Sequence, residues 1–202
     1  AAILVMMMQL GFAMLEIGLC RSRNAINVAM KNVLDFSAAA LAFLLFGFTF
    51  MFGTTEGGWI GSQDFAVWKF SGDSPIWTFF FFQLVFVGTA CTIASGAMAE
   101  RTKFTGYLCY AVILSGFLYP VFGHWVWGSF GGGFEEGFGG SPGWLESFGT
   151  GFHDFAGSTV VHGIGGASAL AGIIILGPRI GRFDEDGNAR YLPGHNLPLV
   201  CF

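Results

Sequence analysis

Charge is scarce in this sequence. Only 11% of its 202 residues are Asp, Glu, Lys or Arg, against roughly 25% in a soluble domain, so a conventional solvated shell around a folded core is not available. There are nine Lys and Arg in all, with no basic patch and no nucleic-acid motif, which sets nucleic acid aside as a partner. Cysteine is sparse as well. Cys20, Cys91, Cys109 and Cys201 form no CxxC pair and lie in or beside apolar segments, and they read as small buried hydrophobes. No Ser/His/Asp set sits on a nucleophile elbow, and there is no HExxH. His124, His153 and His162 lack ligand spacing, so neither metal, haem nor other cofactor is expected, nor an enzyme. No initiator Met or signal-peptide n-region precedes "AAILVMMM", and "HNLPLVCF" stops as a new apolar run begins; the sequence reads as part of a longer chain.

What is present is apolar. Hydrophobic residues make up 53% and aromatics 17%, with 25 Phe and 32 Gly, the composition of packed transmembrane helices. Stretches of about 20 apolar residues read as spanning helices. They fall roughly at 2–20, 33–53, 77–98, 104–127 and 154–177, with the start of a sixth near Asn196. Arg21, Arg23 and Lys31 follow the first, Arg101 and Lys103 the third, and Arg179, Arg182 and Arg190 the fifth. Only Lys69 lies on the other side. The positive-inside rule therefore makes the odd-numbered loops cytoplasmic and the start of helix one extracytoplasmic. The outer loops carry Glu56, Asp64, Asp73, Glu135, Glu136 and Glu146: solvated loop acids, or an acidic mouth that favours cations.

Several polar or aromatic groups stand out within the spans. Glu16, Asp35 and Asp154 lie near expected helix ends, where snorkelling, capping or an interfacial position explains them; Asp154 suits a cap for helix five. His162 lies deeper. At 100° per residue it shares a face with Ser158, Thr159, Gly165, Gly166 and Ala169, which either packs tightly or lines a pore. His162 then hydrogen-bonds a neighbouring helix, or contacts substrate and relays a proton. Phe82 and Phe86 lie one turn apart, as packing or as a gate. Tyr119, His124, Trp125 and Trp127 cluster at the outer end of helix four, as an aromatic belt or as a cation–π cage. Pro120 would kink the helix there.

Taken together, "MQLGFAMLEIGLCRSRNAINVAMKN", "GAMAERTKF", "HWVWG", "DFAGSTVVH" and "PGHNLPLV" resemble, in order, motifs of the ammonium transporter (Amt/Rh) family. The resemblance covers nearly the whole chain, and "DFAGSTVVH" is its most specific run. It implies an all-α integral membrane protein of the ammonium-transporter fold: the first five-helix repeat, plus the start of helix six, of an eleven-helix inverted-repeat membrane domain that assembles as a homotrimer. By the same resemblance, Trp127 binds the cation outside and Phe86 is the inner of two gate phenylalanines. Phe82 is a neighbour in the recruitment site, Asp154 shapes that site, and His162 is the first of two pore histidines. The implied function is ammonium transport, with methylammonium as analogue and the proton handled apart from ammonia. A PII-type signalling protein would bind the cytoplasmic face of the cell membrane. The alternative is a sensor, an Amt-like domain fused to a signalling output. An Rh-like route for neutral gas is disfavoured by Trp127, because a neutral molecule needs no cation cage.

Overall fold

The computed structural model describes residues 1–62, 70–134 and 139–201. Lys69, Asp64, Glu135 and Glu136 therefore lie outside the described residues. Helices α1 (Ala2–Leu19), α2 (Ala25–Ala42), α3 (Phe48–Phe52), α4 (Ile76–Met98), α5 (Phe104–Ile113), α6 (Tyr119–Trp127), α7 (Ile164–Leu176) and α8 (Leu197–Val200) account for the regular structure. Five continuous spans result, at Ala2–Leu19, Ser22–Phe52, Ile76–Met98, Phe104–Gly131 and Ser158–Leu176, each long and apolar enough to cross a bilayer. The short α8 begins where a sixth helix is expected, with the Asn196 side chain accepting from the Leu199 amide. Its Val200 lies against Gly18, and Gly194 just before it lies against Leu19, so the chain returns beside α1.

The second span begins earlier than hydropathy predicts. Its first turn is a 3₁₀ turn at Ser22–Asn24, and α2 follows directly. Lys31 is thus not a loop charge. It lies within α2, 5% exposed, with its ammonium 3.4 Å from Glu16. A hydropathy window counts the Lys as a break, whereas a paired ion inside a helical bundle can sit at that depth.

Wide π turns interrupt the second and fourth spans, at Phe43–Gly47 and Leu114–Leu118, and open the fifth, at Ser158–Gly163. Such turns shift which side chains share a face and are frequent at functional sites. The one at Leu114–Leu118 comes just before Tyr119 and Pro120, where proline cannot donate to the helix ladder.

Span three is the hub. Of its most apolar window 67% is buried within the chain, compared with 11% for span one and 17% for span five. It packs against α1, α2 and α7. On its N-terminal half Phe79 and Phe80 join Phe43, Phe48 and Phe52 in a buried aromatic cluster, mostly edge-to-face, as in the Phe52–Phe79 pair at 4.8 Å. Such geometry places the electropositive ring edge on the electronegative face.

Candidate functional site

The site is built around the start of span five. Gly157 takes φ +85°, a conformation that a side chain resists, and so bends the chain into the helix. The Asp154 carboxylate fills the turn this makes. One oxygen accepts from the amides of Gly157 (2.8 Å) and Ser158 (2.9 Å). The other accepts from the Thr159 amide (2.8 Å), the Thr159 hydroxyl (2.7 Å) and the Val160 amide (3.0 Å). These are the amides a helix start leaves without partners, so Asp154 is the cap of span five. Burial pushes its carboxyl up, but the Thr159 hydroxyl and the surrounding amides outweigh burial and hold it below the usual carboxylate range.

The same residue fixes an indole. Trp127 ends α6, is buried, and donates its Nε1–H to the Asp154 carbonyl at 2.6 Å. Phe86 meets Trp127 at a tilt, with centroids 6.5 Å apart, and Phe82 stands perpendicular to Phe86 at 5.0 Å. These three rings, with Gln83, Phe130 and Phe155, line part of a cavity of about 340 Å³. The indole N–H is already spent on Asp154, which leaves ring faces for a guest. Gln83 is the polar side chain in that lining; it is buried, and its Oε1 has no hydrogen-bond partner. Sequence reasoning missed it, although a glutamine inside "FFFFQLVF" is a polar group at membrane depth and a signal in itself.

The expectation of an aromatic belt around Tyr119, His124, Trp125 and Trp127 is not met. Tyr119, His124 and Trp127 are buried, and His124 Nδ1 is 2.8 Å from the Met51 carbonyl. They face α3 and the start of span five, because α6 packs there rather than on the periphery. Trp125 stands in a group with Trp59 and Trp144, at 5.7 and 5.8 Å, and donates to the Trp59 carbonyl. Of the acids expected in the outer loops, Glu56 and Asp73 are exposed. Glu146 accepts from the Ser129 hydroxyl and the Ser129 and Gly143 amides and so ties together the loop between spans four and five.

His162 lies on the π turn, its amide bonded to the Gly157 carbonyl five residues back. Its side chain is exposed, beside exposed Ser158, Gly163 and Gly166. Gly165, expected on that face, is instead buried against span three. A Cβ there would stand 3.0 Å from Ile93 Cβ and 3.1 Å from the Ala90 carbonyl. Ala169 likewise packs against the cluster formed by Ala94, Met98 and Tyr107. The π turn advances the chain less per residue than an α-helix, so projection at 100° misassigned these two.

Glu16 and Asp35 are not at helix ends in the sense expected. Both are buried, in a polar network that joins the first four spans. Glu16 accepts from Ser95 (2.8 Å) and Asn32 (3.2 Å), and Lys31 also donates to the Ser95 carbonyl (2.9 Å). Asp35 accepts from the Tyr107 hydroxyl, while Gln9 bonds Thr92 at 2.6 Å. A bilayer makes each of these groups expensive alone, which is why they occur together. Cys20 and Cys91 are buried as expected, but Cys109 and Cys201 are exposed in this chain; Cys109 lies on a face of α5 that no described residue covers.

Architecture alone defines an α-helical integral membrane protein with an aromatic cage at one end of its hub helix. The comparisons then specify the kind. The sequence model of the Ammonium Transporter Family matches residues 1–202, and the chain belongs to that family. It is 46% identical to the ammonium transporter Amt2 of Archaeoglobus fulgidus over 98% of this chain and 41% of that protein. To ammonium transporter 1 member 3 of Solanum lycopersicum it is 43% identical, over 99% of this chain and 42% of that protein. Among solved structures, the protein titled Sensor Amt Protein superposes with a TM-score of 0.86 at 41% identity, covering 99% of this chain and 48% of its own. Candida albicans Mep2 superposes at 0.78 and 24% identity, a likeness of fold. The chain thus spans less than half the length of these relatives.

Proposed function

We propose that this chain forms one wall of an ammonium pathway. Ammonium is drawn to the cage of Trp127 and Phe86, with Phe82 beside it, and ammonia passes along the face that carries His162, its proton handled separately. The observation that carries the reading is the continuity of one short segment. Asp154 caps span five and holds Trp127, and two turns later the same span presents His162 on an uncovered face.

The chemistry fits. A small cation loses hydration on entering an apolar cavity, and ring faces return part of that loss through cation–π attraction. Potassium and ammonium are close in size, so selection needs something ammonium alone can do, namely donate hydrogen bonds and release a proton. Behind the cage an unpaired charge is costly, which favours neutral ammonia. A neutral imidazole has one donor and one acceptor nitrogen, suited to ammonia or to a relayed proton. Asp154 has both oxygens saturated and its carboxyl held low, so its part is to position Trp127 and the helix start rather than to exchange protons near neutrality.

The facing wall, with a second histidine, belongs to this proposal, as do assembly as a homotrimer, a PII-type partner, residence in the cell membrane and the cytoplasmic placing of the odd loops. The curated relatives named above are called transporters, which favours transport over the sensor reading. The decisive measurement is methylammonium uptake, with ammonium-evoked currents, by the intact protein in proteoliposomes. Loss of uptake or of ion selectivity in His162→Ala is expected; uptake with wild-type selectivity in that variant would overturn the role of His162.

A further inference from the structure

His124 stands one turn before Trp127 on α6 and takes no part in lining the cage. Its ring is buried, with Nδ1 2.8 Å from the Met51 carbonyl of α3. A carbonyl only accepts, so Nδ1 carries the hydrogen and donates it. Nε2 is buried without a partner among the described residues. A second proton there would have no acceptor, and the ring serves as a fixed donor rather than a proton carrier. The carbonyl it meets needs a donor, because a helix leaves its last carbonyls unbonded. At the end of α3 the Gly53 amide takes the Thr49 carbonyl, the Gly61 amide takes the Phe50 carbonyl, and His124 takes that of Met51.

That bond bears on the indole. The start of span five holds Trp127 at two edges of its ring. Nε1–H donates to the Asp154 carbonyl at 2.6 Å, and Cη2 lies against Gly157, where a Cβ would stand 3.2 Å away. The Cα end of the side chain moves with α6. The separation and tilt of the indole against Phe86, 6.5 Å and 66°, therefore depend on where the last turn of α6 sits. Two elements hold that turn. In the loop between spans four and five, the Leu145 and Glu146 amides donate to the Trp125 carbonyl (3.2 and 3.3 Å), and Gly143 is seated against the carbonyls of His124 and Trp125. On α3, Gly123 leaves room for the Met51 thioether, and His124 adds the hydrogen bond. Apolar packing tolerates sliding, whereas a hydrogen bond has a length and a direction and so sets the register of one helix on the other.

We propose that His124 is a positioning residue of the cage: by donating from Nδ1 to the Met51 carbonyl it sets the register of α6 on α3, and through it the seat of the Trp127 indole against the cation. It touches no substrate. The proposal rests on the reading of Trp127 and Phe86 as the site that draws in ammonium.

The test is methylammonium uptake by the intact protein in proteoliposomes, read as half-saturating concentration and as maximal rate per folded protein. His124→Leu keeps volume and removes the donor. His124→Asn keeps a donor at the same reach from the backbone and gives up volume. His124→Leu is expected to raise the half-saturating concentration about 2- to 10-fold, within the ceiling that loss of the indole sets, with the maximal rate unchanged. His124→Asn should melt lower and yet keep the wild-type half-saturation. The decisive comparison is made in Trp127→Leu. A residue that acts through the indole has nothing to act on once the indole is gone, so adding His124→Leu to Trp127→Leu should raise the value no further. Gly123→Ala, which crowds only the movable end of Met51 at the same contact, should leave it unchanged. The proposal is overturned by an unchanged half-saturation in His124→Leu, by the same fold-rise in both backgrounds, or by a rise in Gly123→Ala that equals that in His124→Leu. A raised value in His124→Asn also overturns it, and decides the matter even where His124→Leu fails to fold. Wild-type half-saturation in Trp127→Leu would refute the cage itself and this proposal with it, whereas a rise there and none in His124→Leu refutes this proposal alone.

Discussion

Replacing Asp154 with asparagine is the sharpest perturbation available, because it keeps size and shape and changes only what the two oxygens can accept. The carboxylate takes two amides on one oxygen and two amides with a hydroxyl on the other, at 2.7 to 3.0 Å. An asparagine must turn its NH₂ toward one of these sets. Whichever way it turns, two backbone N–H groups face another donor. The Thr159 hydroxyl can rotate away, but the amides cannot. A buried donor left without a partner costs about 1–3 kcal/mol, so two cost about 4 kcal/mol in the middle of that range. On the scale for chains of 150–250 residues this is a fall of roughly 8–16 °C in melting temperature. The cage should suffer too, since the indole of Trp127 hangs on the Asp154 carbonyl. The acid dependence has a definite sign. The folded carboxyl is held below its unfolded value, so its stabilisation is complete above the ordinary carboxylate pKa and fades only as pH falls through the lower folded value. The gap between wild type and Asp154→Asn should therefore be constant from about pH 5 to pH 8 and shrink in acid. Differential scanning fluorimetry of the intact protein measures both. A variant that melts with the wild type, or a gap that varies across the neutral range, refutes the account of Asp154 as a saturated cap.

Trp127→Leu should raise the half-saturating methylammonium concentration about 2- to 30-fold, the equivalent of a cation–π contribution of about 0.5–2 kcal/mol, as read from uptake kinetics; an unchanged value would remove the indole from recruitment. Gly165→Leu should lower thermal stability by about 1–3 kcal/mol through overpacking against Ile93 and the Ala90 carbonyl; full stability would mean that span five does not seat on span three at that point. Glu16→Gln and Lys31→Met should each cost about 3–5 kcal/mol by leaving a buried charge alone. The double variant should cost less than the two combined, and strictly additive melting shifts would show that the 3.4 Å pair is not coupled.

The fold was legible because a bilayer imposes a length rule. Runs such as "WTFFFFQLVFVGTACTIASGAM" have to be helical to satisfy their backbone in lipid, and the third, fourth and fifth spans fall within a few residues of the expected limits. What misled was treating each span in isolation. Lys31 and Asn32 depress a hydropathy window, so the second span was expected to begin near Val33. Glu16 lies on a different helix, and nothing local in the sequence says that it meets Lys31.

The site shows the same division. Asp154 as a cap could be read from "DFAGST", because a cap is a local matter of which amides lie within reach. The partnership of Trp127 with Asp154 could not, since it joins a helix end to a loop 27 residues away. The face around His162 failed for a third reason. Periodicity arguments assume one angular step per residue, and the turn from Ser158 to Gly163 breaks that assumption at the residue of interest. Its consequence is physical as well as geometrical. The wide turn leaves Gly165 and Ala169 directed at span three, where their small size permits close packing, and leaves His162 with Gly163 and Gly166 on open ground. The same helix thus serves both as a packed strut and as an exposed polar face, and a substitution that straightens the π turn should disturb packing and the proposed ammonium pathway together.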